Sequence, residues 1–258
     1  MNIFYGICNL SIVPLRAEAA DTSEMISQLL FGEHFTIIEK HKNWSKIKLS
    51  FDDYEGYIDN KQFEIITEDL FKKLSINENI YSGEIIDFIT NSSNDLLTIP
   101  LGSRLPFFVN NEFQLNSKRF QYDGKVISRK VPKNEIIQQA FVFLNTPFLW
   151  GGKTPFGIDC SGFTQMVYKL CGYKLYRDAY LQAKQGEVLS FIEESEPGDL
   201  AFFDNEEGEI IHVGIILKDY HIIHAYGKVR IDTLDHSGIF NNDLQIHTHK
   251  LRVIKKLI

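Results

Sequence analysis

Short runs of alternating apolar and polar residues dominate the first half of the chain. Residues 35–39 and 44–49 combine β-branched and aromatic residues with charged ones, a pattern typical of half-buried strands. A Lys42-Asn43 turn lies between them, and a similar run follows at 54–58. Strands at this spacing predict a small barrel of about 65 residues.

A second strand-rich block follows the first. Its apolar runs lie at 96–102, 105–108 and 124–127. These runs predict a further small β domain. Near Thr67–Asp69 the strand pattern lapses into a polar, mixed stretch, and we place a domain boundary there. The N-terminal half is therefore predicted to hold one all-β domain at 1–67 and another at 68–130.

The pattern changes to a helical period at Pro132. Residues 134–144 are a predicted helix with Pro132 close to its start. After a glycine- and proline-rich loop at 147–157, a second helix is predicted at 161–170, because its apolar residues recur at i, i+3, i+4 and i+7. Gly172 suits the position that follows the end of this helix.

Strand patterns return after the Pro197-Gly198-Asp199 turn. They cover 200–203, 211–217, 221–225 and 250–254. Helices followed by antiparallel strands predict an α+β domain for residues 131–258.

The composition of 44% hydrophobic and 24% charged residues among 258 is that of a folded soluble protein, and it excludes disordered and fibrous classes. No apolar stretch approaches the roughly 18 residues that span a bilayer. The net charge of −7 comes without a basic stripe, which argues against nucleic acid or an anionic membrane as a partner. The oligomeric state stays open, with a monomer as the default expectation.

The opening segment, Met1–Cys8, has neither a basic n-region nor a long apolar run, so we expect no signal peptide. A cytoplasmic location follows if the chain is full length. A chain whose leader had been removed would look the same, and it would belong in the periplasm or outside the cell.

The three cysteines are widely spaced and form no C-x-x-C pair, which argues against a disulfide framework. Cys8 ends an apolar run and Cys171 closes a helix, so both are predicted to be small buried hydrophobic residues. Cys160 lies where a loop meets a helix N-terminus, among polar and small neighbours. There the N–H groups and the helix dipole are expected to lower the thiol pKa, and they could hold an oxyanion. The local pattern alone leaves Cys160 open between a reactive and a structural cysteine.

A cysteine nucleophile needs an imidazole partner, and two histidines are suitably placed. His212 and His224 lie in consecutive predicted strands joined by the loop Lys218-Asp219-Tyr220. A three-residue loop would pair Gly214 with His224 and make the two histidines diagonal neighbours on one face, roughly 7–8 Å apart at Cα. A two-residue loop would put them on opposite faces. Each histidine could equally be a structural residue of the sheet.

The segments His247-Thr248-His249 and His221-Ile222-Ile223-His224 could suggest a metal, but neither has cysteines or carboxylates at ligand spacing. We therefore expect no metal site and no cofactor.

Several motifs together resemble the NlpC/P60 family of cysteine peptidases, which hydrolyse cell-wall peptides and have a papain-like core. The motifs are PFLWGG at 147–152, DCSGF at 159–163, PGDLAFF at 197–203, HVGI at 212–215 and IHA at 223–225. Their order and spacing are those of the family, over residues 131–258. The resemblance implies a Cys-His-His triad in which Cys160 is the nucleophile, His212 the base and His224 the residue that orients His212.

The N-terminal half resembles bacterial SH3 (SH3b) domains through Gly32-Glu33, Trp44-Ser45-Lys46-Ile47 and Gly56-Tyr57-Ile58. The second block resembles another SH3b copy more weakly. Two SH3b-like barrels ahead of an NlpC/P60 domain are similar to the YkfC-type γ-D-glutamyl-L-diamino-acid endopeptidases. Those thiol proteases cut murein peptides with a free N-terminal L-alanine after D-glutamate, and their first SH3b domain helps to recognise the amine. The resemblance implies a hydrolase of murein peptide recycling.

The resemblance also implies substrate-binding residues. Asp159, Ser161 and Asp178 match positions that line the substrate pocket. Phe148 departs from the tyrosine that is common there, and loss of that hydroxyl would remove an oxyanion donor worth about 2–4 kcal/mol if nothing replaces it. Further candidates are Trp150 in the catalytic domain and Glu18 and Tyr54 in the first SH3b-like domain.

Other functions stay open at this point. The SH3b-like domains could anchor a secreted endopeptidase that acts on polymerised peptidoglycan, or the chain could be a non-catalytic wall-binding protein. An acyltransferase with the same nucleophile is a further alternative. The sequence does not distinguish a lysine from a diaminopimelate substrate.

Overall fold

The computed structural model describes residues 4–258. The chain divides between Arg129 and Lys130 into two compact units, which we call the N-terminal unit and the C-terminal unit. In the described part of the chain, no helix is both long and apolar enough to cross a membrane. Antiparallel strands dominate the first unit, and the second combines helices with an antiparallel sheet, so the predicted α+β class is confirmed.

Antiparallel strands build the first part of the N-terminal unit. They are β1 (Phe4–Ile7), β2 (Ile12–Arg16), β3 (Met25–Leu30), β4 (His34–Lys40), β5 (Trp44–Leu49), β6 (Glu55–Asp59) and β7 (Glu64–Ile66). They pair in the order β3-β2-β6-β5-β4-β1-β7. The strands predicted at 35–39, 44–49 and 54–58 correspond to β4, β5 and β6. Their inward side chains, such as Phe35 and Ile58, are buried in a common core.

The polar stretch that follows β7 is a helix, α1 (Glu68–Ile76). Thr67 caps it, because the Leu70 N–H donates to the Thr67 hydroxyl at 3.2 Å. Ion pairs four residues apart stabilise its exposed face. The helix buries Leu74 and packs Leu70 and Phe71 against the same core, a helical spacing that the prediction of a polar, mixed stretch overlooks.

A second group of strands follows α1. They are β8 (Tyr81–Ser82), β9 (Ile86–Asn91), β10 (Leu96–Pro100), β11 (Glu112–Leu115), β12 (Lys118–Gln121) and β13 (Val126–Ile127). The strand predicted at 105–108 is wrong. Pro106 has no N–H to donate, and Phe107 has a φ of +58°, so the backbone turns there instead of extending.

The two strand groups of the N-terminal unit share a core. Ile7 and Phe31 from the first group are buried in the same cluster as Ile89 and Ile99 from the second. The boundary predicted at 67/68 therefore stays a prediction about how this unit is divided.

The C-terminal unit begins with helices and continues as a sheet. Its helices are α2 (Ile136–Val142), α3 (Cys160–Leu170) and α4 (Ala179–Gln182), with single 3₁₀ turns at Lys133–Glu135 and Ile192–Glu194. Its strands are β14 (Lys153–Thr154), β15 (Gly157–Ile158), β16 (Glu187–Leu189), β17 (Leu200–Asp204), β18 (Ile210–Ile216), β19 (His221–Tyr226), β20 (Lys228–Asp235), β21 (Gly238–Asn241) and β22 (Ile246–Lys256). The helix predicted at 134–144 thus starts as a 3₁₀ turn. The helices and strands of this unit that were not predicted are α4, β14, β15, β16, β20 and β21.

The main sheet of this unit closes on itself. Its strands follow the order β16-β22-β17-β18-β19-β20-β21, and β21 also pairs with β22. The long β22 makes this possible, because Leu251 lies opposite Phe203 of β17 while His249 lies opposite Ile239 of β21. Closure brings side chains from distant parts of the sequence to one place.

Helix α3 is packed on nearly all sides. Phe163 and Val167 are fully buried, as the predicted period requires. Gly172 follows the helix end with a φ of +84°, which confirms its predicted position. A Cβ on Gly162 would collide with the carbonyl oxygen of Gly152, so glycine lets the start of α3 approach the preceding loop.

Candidate active site

The β18–β19 hairpin brings two histidines onto one face. Gly214 pairs with His224, and the Leu217 N–H donates to the His221 carbonyl at 2.8 Å, so the predicted three-residue loop and register are confirmed. His212 and His224 are therefore diagonal neighbours. Both are buried, and His212 Nε2 lies 2.9 Å from His224 Nδ1. A Cβ on Gly214 would collide with the Cβ of His224, so this close approach needs glycine.

A carboxylate extends the line of the two histidines. Strand β20 pairs Arg230 with His224, which makes Asp232 the diagonal neighbour of His224. Asp232 Oδ2 lies 3.1 Å from His224 Nε2. Arg230 donates to the same carboxylate through Nε at 2.6 Å and Nη2 at 2.8 Å. A hydrogen-bonded line thus runs from His212 through His224 to Asp232.

Sheet closure adds a third imidazole. The ring of His249 stacks on His212 with centroids 4.1 Å apart and planes 25° apart. One nitrogen each from His212, His224 and His249 lies within 4.8 Å of the others, so these are the described residues that could hold a metal ion. Two of the nitrogens already hydrogen bond to each other, and a metal would have to replace that bond. The expectation of no metal stays a prediction.

Burial keeps the three imidazoles neutral. Burial, followed by the neighbouring rings of His224 and His249, holds the pKa of His212 well below its ordinary value. Burial also lowers the pKa of His224, although its hydrogen bond to Asp232 acts in the opposite direction. Burial and the neighbouring His224 lower the pKa of His249 to about 4. Each ring therefore carries one proton and one lone pair at neutral pH.

Cys160 is the first residue of α3 and is partly exposed. Its sulfur receives backbone hydrogen bonds from Val213 and Ser161, which puts it beside β18, at the residue that follows His212. Burial, assisted by the negative charge of Asp159, raises the pKa of the thiol to about 12. The expected lowering of this pKa is wrong, because desolvation outweighs the helix N-terminus. The thiol and the imidazole are both neutral.

Asp159 caps α3 and is part of a buried ion pair. Its Oδ1 accepts from the Gly162 N–H at 2.6 Å and from Arg177 Nη1 at 3.0 Å. Its Oδ2 accepts from the Gly151 N–H at 2.8 Å and from Arg177 Nη2 at 2.5 Å. Asp159 therefore ties the 151–152 loop to the start of α3, and its predicted contact with substrate stays a prediction.

Ser161 and Asp178 are both neighbours of Arg177, Ser161 through a hydrogen bond and Asp178 in the sequence. Ser161 Oγ accepts from Arg177 Nη1 at 3.0 Å, and the Ser161 carbonyl accepts from Gln182 Nε2 at 2.9 Å. Asp178 follows Arg177 directly, is half-buried and occupies the N-cap position of α4. Arg177 and α4 thus hold both residues near the helix terminus that bears Cys160, while their substrate contacts stay predictions.

The loop before α3 carries exposed aromatic side chains. Phe148 is 38% exposed and Trp150 is 63% exposed. The Phe148 N–H donates to the Gly227 carbonyl at 2.9 Å, so the loop lies along the β19–β20 turn. These positions offer apolar surface, and the predicted substrate contacts of Phe148 and Trp150 remain to be tested.

The two candidates from the first SH3b-like domain belong to the N-terminal unit. Glu18 is exposed after β2, and its N–H donates to Ser23 Oγ at 2.9 Å. Tyr54 is half-buried before β6 and packs against the core of this unit. Their roles toward a substrate stay predictions.

Comparison with known families gives a different match in each of the two units. The profile of the NlpC/P60 family matches residues 145–248, a range that contains Cys160, His212 and His224. The profile of the bacterial dipeptidyl-peptidase SH3 domain matches residues 15–63. The chain contains an NlpC/P60 domain. Its NlpC/P60 domain lies in the C-terminal unit and its SH3 domain in the N-terminal unit.

Named relatives of this NlpC/P60 enzyme cover most of its length. A γ-D-glutamyl-L-lysine dipeptidyl-peptidase of Bacillus subtilis is 29% identical over 217 residues, which is 77% of this chain and 71% of the relative. Dipeptidyl-peptidase 6 of Lysinibacillus sphaericus is 26% identical over 259 residues, which is 89% of this chain and 92% of the relative.

A solved structure shows the same fold. An NlpC/P60 family protein from Bacillus cereus superposes with a TM-score of 0.80 at 19% identity, over 98% of this chain and 99% of the other. The two proteins therefore share their fold over nearly all of this chain.

Two residues beside the NlpC/P60 histidine pair, Asp232 and His249, lie outside the predicted site. A signal for Asp232 was present, because Gly227 can form a tight turn and the following Arg230-Ile231-Asp232 alternates. Pairing that strand with the one before it would have put Asp232 beside His224. His249 had no comparable signal, since its place depends on the pairing of β21 with β22.

Proposed function

We propose that this enzyme hydrolyses the γ-D-glutamyl–L-diamino-acid amide bond of murein peptides that carry a free N-terminal L-alanine. The observation that carries the proposal is the hydrogen-bonded pair of His212 and His224, on strands adjoining the helix terminus that bears Cys160. Two relatives, from Bacillus subtilis and Bacillus cereus, are γ-D-glutamyl-L-lysine dipeptidyl-peptidases, which supports the substrate class.

The first step is attack by a thiol that loses its proton during the reaction. Because the pKa of Cys160 is raised and that of His212 is lowered, the resting pair is neutral and not an ion pair. Cys160 Sγ attacks the γ-carbonyl carbon of D-glutamate while its proton moves to His212. Backbone N–H groups in the first turn of α3 stabilise the oxyanion that forms.

The second half of the reaction returns the proton. His212 protonates the amine of the lysine or diaminopimelate residue as the C–N bond breaks, which leaves a thioester on Cys160. His212 then takes a proton from water as the water attacks the thioester carbon. The acid product leaves and the sulfur regains its proton. His224 holds the ring of His212 throughout, as the third member of a triad does.

Recognition of the free N-terminus calls for negative charge near the site. Asp178 is the charged candidate in the NlpC/P60 domain and Glu18 is the charged candidate in the SH3 domain, where Tyr54 is an uncharged candidate. The charge of Asp159 is already paired with that of Arg177, and both of its oxygens accept hydrogen bonds, so its proposed contribution is to position the loop at 151–152 and the start of α3.

The test is mass-spectrometric product analysis on two peptides. One is L-Ala-γ-D-Glu-L-Lys together with its diaminopimelate analogue, and the other is the same peptide with an acetylated N-terminus. We expect cleavage of the free peptide after D-glutamate and little or no cleavage of the acetylated one. Equal cleavage of both would assign the enzyme to polymerised peptidoglycan, with retention on sacculi as supporting evidence, and would contradict the requirement for a free amine.

Two cysteine variants form a matched pair for this test. Cys160→Ala should abolish turnover and leave folding nearly unchanged. Cys171→Ala removes a thiol that is fully buried at the far end of the same helix, and it should retain turnover and labelling of Cys160 by a thiol-reactive probe. Turnover by the Cys160→Ala variant would contradict the mechanism.

A further inference from the structure

Asp232 is surrounded by donors. Its Oδ1 accepts from Arg230 Nη2 at 2.8 Å and from the Asn242 N–H at 3.2 Å. Its Oδ2 accepts from Arg230 Nε at 2.6 Å and faces His224 Nε2 at 3.1 Å. Burial alone would raise the pKa of Asp232, but hydrogen bonds from His224 and Arg230 lower this pKa to about 2. The carboxylate is ionised and has no proton to donate.

An ionised partner decides which nitrogen of His224 carries the proton. Since Asp232 can only accept, the bond at 3.1 Å requires a proton on His224 Nε2. His224 is neutral, so its Nδ1 is an acceptor. The contact of 2.9 Å with His212 Nε2 is then a hydrogen bond donated by His212. Because His212 is also neutral, its Nδ1 has the lone pair.

The ring of His212 is buried and packs against two aromatic neighbours. His249 stacks against one side of the ring at 4.1 Å, and Phe203 contacts it with centroids 5.8 Å apart. The orientation of the ring and the position of its proton are thus fixed by different neighbours.

We propose that Asp232 is a positioning residue that sets the tautomers of both histidines, so that His212 meets the Cys160 thiol with an unprotonated Nδ1. This role rests on the proposed function, because it matters for turnover only if His212 accepts the Cys160 proton. Arg230 supports it by keeping the carboxylate ionised and oriented.

The variant Asp232→Asn tests the proposal, because an amide has an acceptor on one side and a donor on the other. The outcome depends on which of the two faces His224. Two donors that cannot become acceptors, Arg230 Nη2 and the Asn242 N–H, point at the Oδ1 position, whereas Arg230 Nε is the one such donor at the Oδ2 position. We therefore expect the amide oxygen at Oδ1, with Arg230 Nε turned away from the amide NH₂. The amide NH₂ then replaces Oδ2 and donates to His224 Nε2. That moves the proton of His224 to Nδ1 and the proton of His212 to its own Nδ1, which blocks acceptance from the thiol.

The control is a second histidine–carboxylate pair on the same strand. Asp235 Oδ2 lies 2.9 Å from His247 Nε2; His247 is exposed and Asp235 is half-buried. Asp235→Asn makes the same chemical change on β20 without touching the line from His212 to Asp232. It should leave turnover and the tautomers of His212 and His224 unchanged.

The readout is the protonation of each ring nitrogen, measured by long-range ¹H–¹⁵N correlation NMR on the full chain with ¹⁵N-labelled histidine. Signals are assigned from single-histidine substitutions. The wild-type protein should show protons on Nε2 of both His212 and His224. Asp232→Asn should move them to Nδ1 and lower kcat by about 10³-fold or more, with KM changed far less, and Asp232→Glu should recover the wild-type tautomers and part of kcat.

A proton on His212 Nδ1 in the wild-type protein would overturn the proposal without any variant, so a misfolded Asp232→Asn protein leaves it testable. Unchanged tautomers in a folded Asp232→Asn protein would also overturn it. The NMR measurement needs no substrate. If the tautomers switch as expected while the wild-type protein cleaves no murein peptide, the proposed function fails and the assignment of Asp232 stands.

Discussion

Each unit of the molecule contains a buried histidine with a lowered pKa, and the two are used differently. In the N-terminal unit, His34 Nδ1 accepts from Arg104 Nη1 at 2.9 Å and His34 Nε2 lies 3.2 Å from Ser75 Oγ. Burial and the charge of Arg104 lower the pKa of His34 to about 3. Both of its nitrogens are thus engaged inside the unit.

His212 of the NlpC/P60 domain differs in the use of its second nitrogen. Its Nε2 is bound to His224, and its other nitrogen is available on the strand beside Cys160. Burial and a shifted pKa are common to both histidines, so neither property marks a catalytic residue. What distinguishes the NlpC/P60 site is a nitrogen left for chemistry next to a nucleophile.

The largest effect that this comparison predicts is on turnover. His212→Ala removes the base, and we expect kcat to fall by about 10³-fold or more. The free energy of unfolding should change much less than kcat does. Peptide cleavage assays and denaturant unfolding measure the two quantities. A variant that keeps more than a tenth of the wild-type kcat would show that His212 is not the base.

The matched variant in the other unit should behave in the opposite way. His34→Ala leaves the buried Arg104 without its imidazole partner, so we expect the N-terminal unit to lose about 2–4 kcal/mol of stability. The kcat of the folded protein should stay within about twofold of the wild type, a small change on the scale of a lost catalytic base. Urea denaturation followed by the activity of the folded fraction tests both. A large fall in kcat with unchanged stability would end the distinction between the two histidines.

Lowering the pH should lower the free energy of unfolding, because His34 and His249 have lower pKa values in the folded protein than in the unfolded chain. The pKa is about 3 for folded His34 and about 4 for folded His249, against about 6.5 in an unfolded chain. The unfolded state therefore binds more protons below pH 6.5, and stability falls as the pH drops. The slope is about 1.4 kcal/mol per pH unit for each such histidine, down to its folded pKa.

Denaturant unfolding between pH 7 and pH 4 checks this slope. The groups that face His34 are Arg104, which lowers its pKa, and Glu33, which raises it. His34→Ala should make the dependence shallower without altering the pH profile of kcat. An equal slope in the wild-type and variant proteins would mean that His34 does not titrate as described.

The smallest expected effect is that of removing metal. The three imidazoles of His212, His224 and His249 could bind an ion, but the proposed reaction uses only their protons. Dialysis against a chelator should leave turnover unchanged within error. A loss that added zinc restores would show that the cluster is a metal site.

The sequence predicts those parts of the site that depend on local order. The loop Lys218-Asp219-Tyr220 and the strands around it are contiguous, so the sequence limits the hairpin to two registers, and the structure shows the one that joins His212 to His224. The apolar period of α3 places Cys160 at a helix start for the same reason. Asp232 and His249 depend on β20, on β21 and on closure through β22.

The pKa of Cys160 shows another limit of local reasoning. A helix N-terminus favours a thiolate, but the pKa also depends on how much water the folded structure removes and on the charge of Asp159. Such properties arise from packing between distant segments. By contrast, the apolar residues of α1, Leu70, Phe71 and Leu74, do recur at a helical spacing, and the prediction of a polar stretch overlooks it.

The raised pKa of Cys160 has a consequence for oxidative damage. Peroxide reacts with thiolates and much more slowly with thiols. With a pKa of about 12, the resting sulfur is almost entirely protonated at neutral pH. The enzyme should therefore form sulfenic acid slowly and retain activity in peroxide longer than a peptidase whose cysteine rests as a thiolate, which the half-life of activity in dilute hydrogen peroxide would measure.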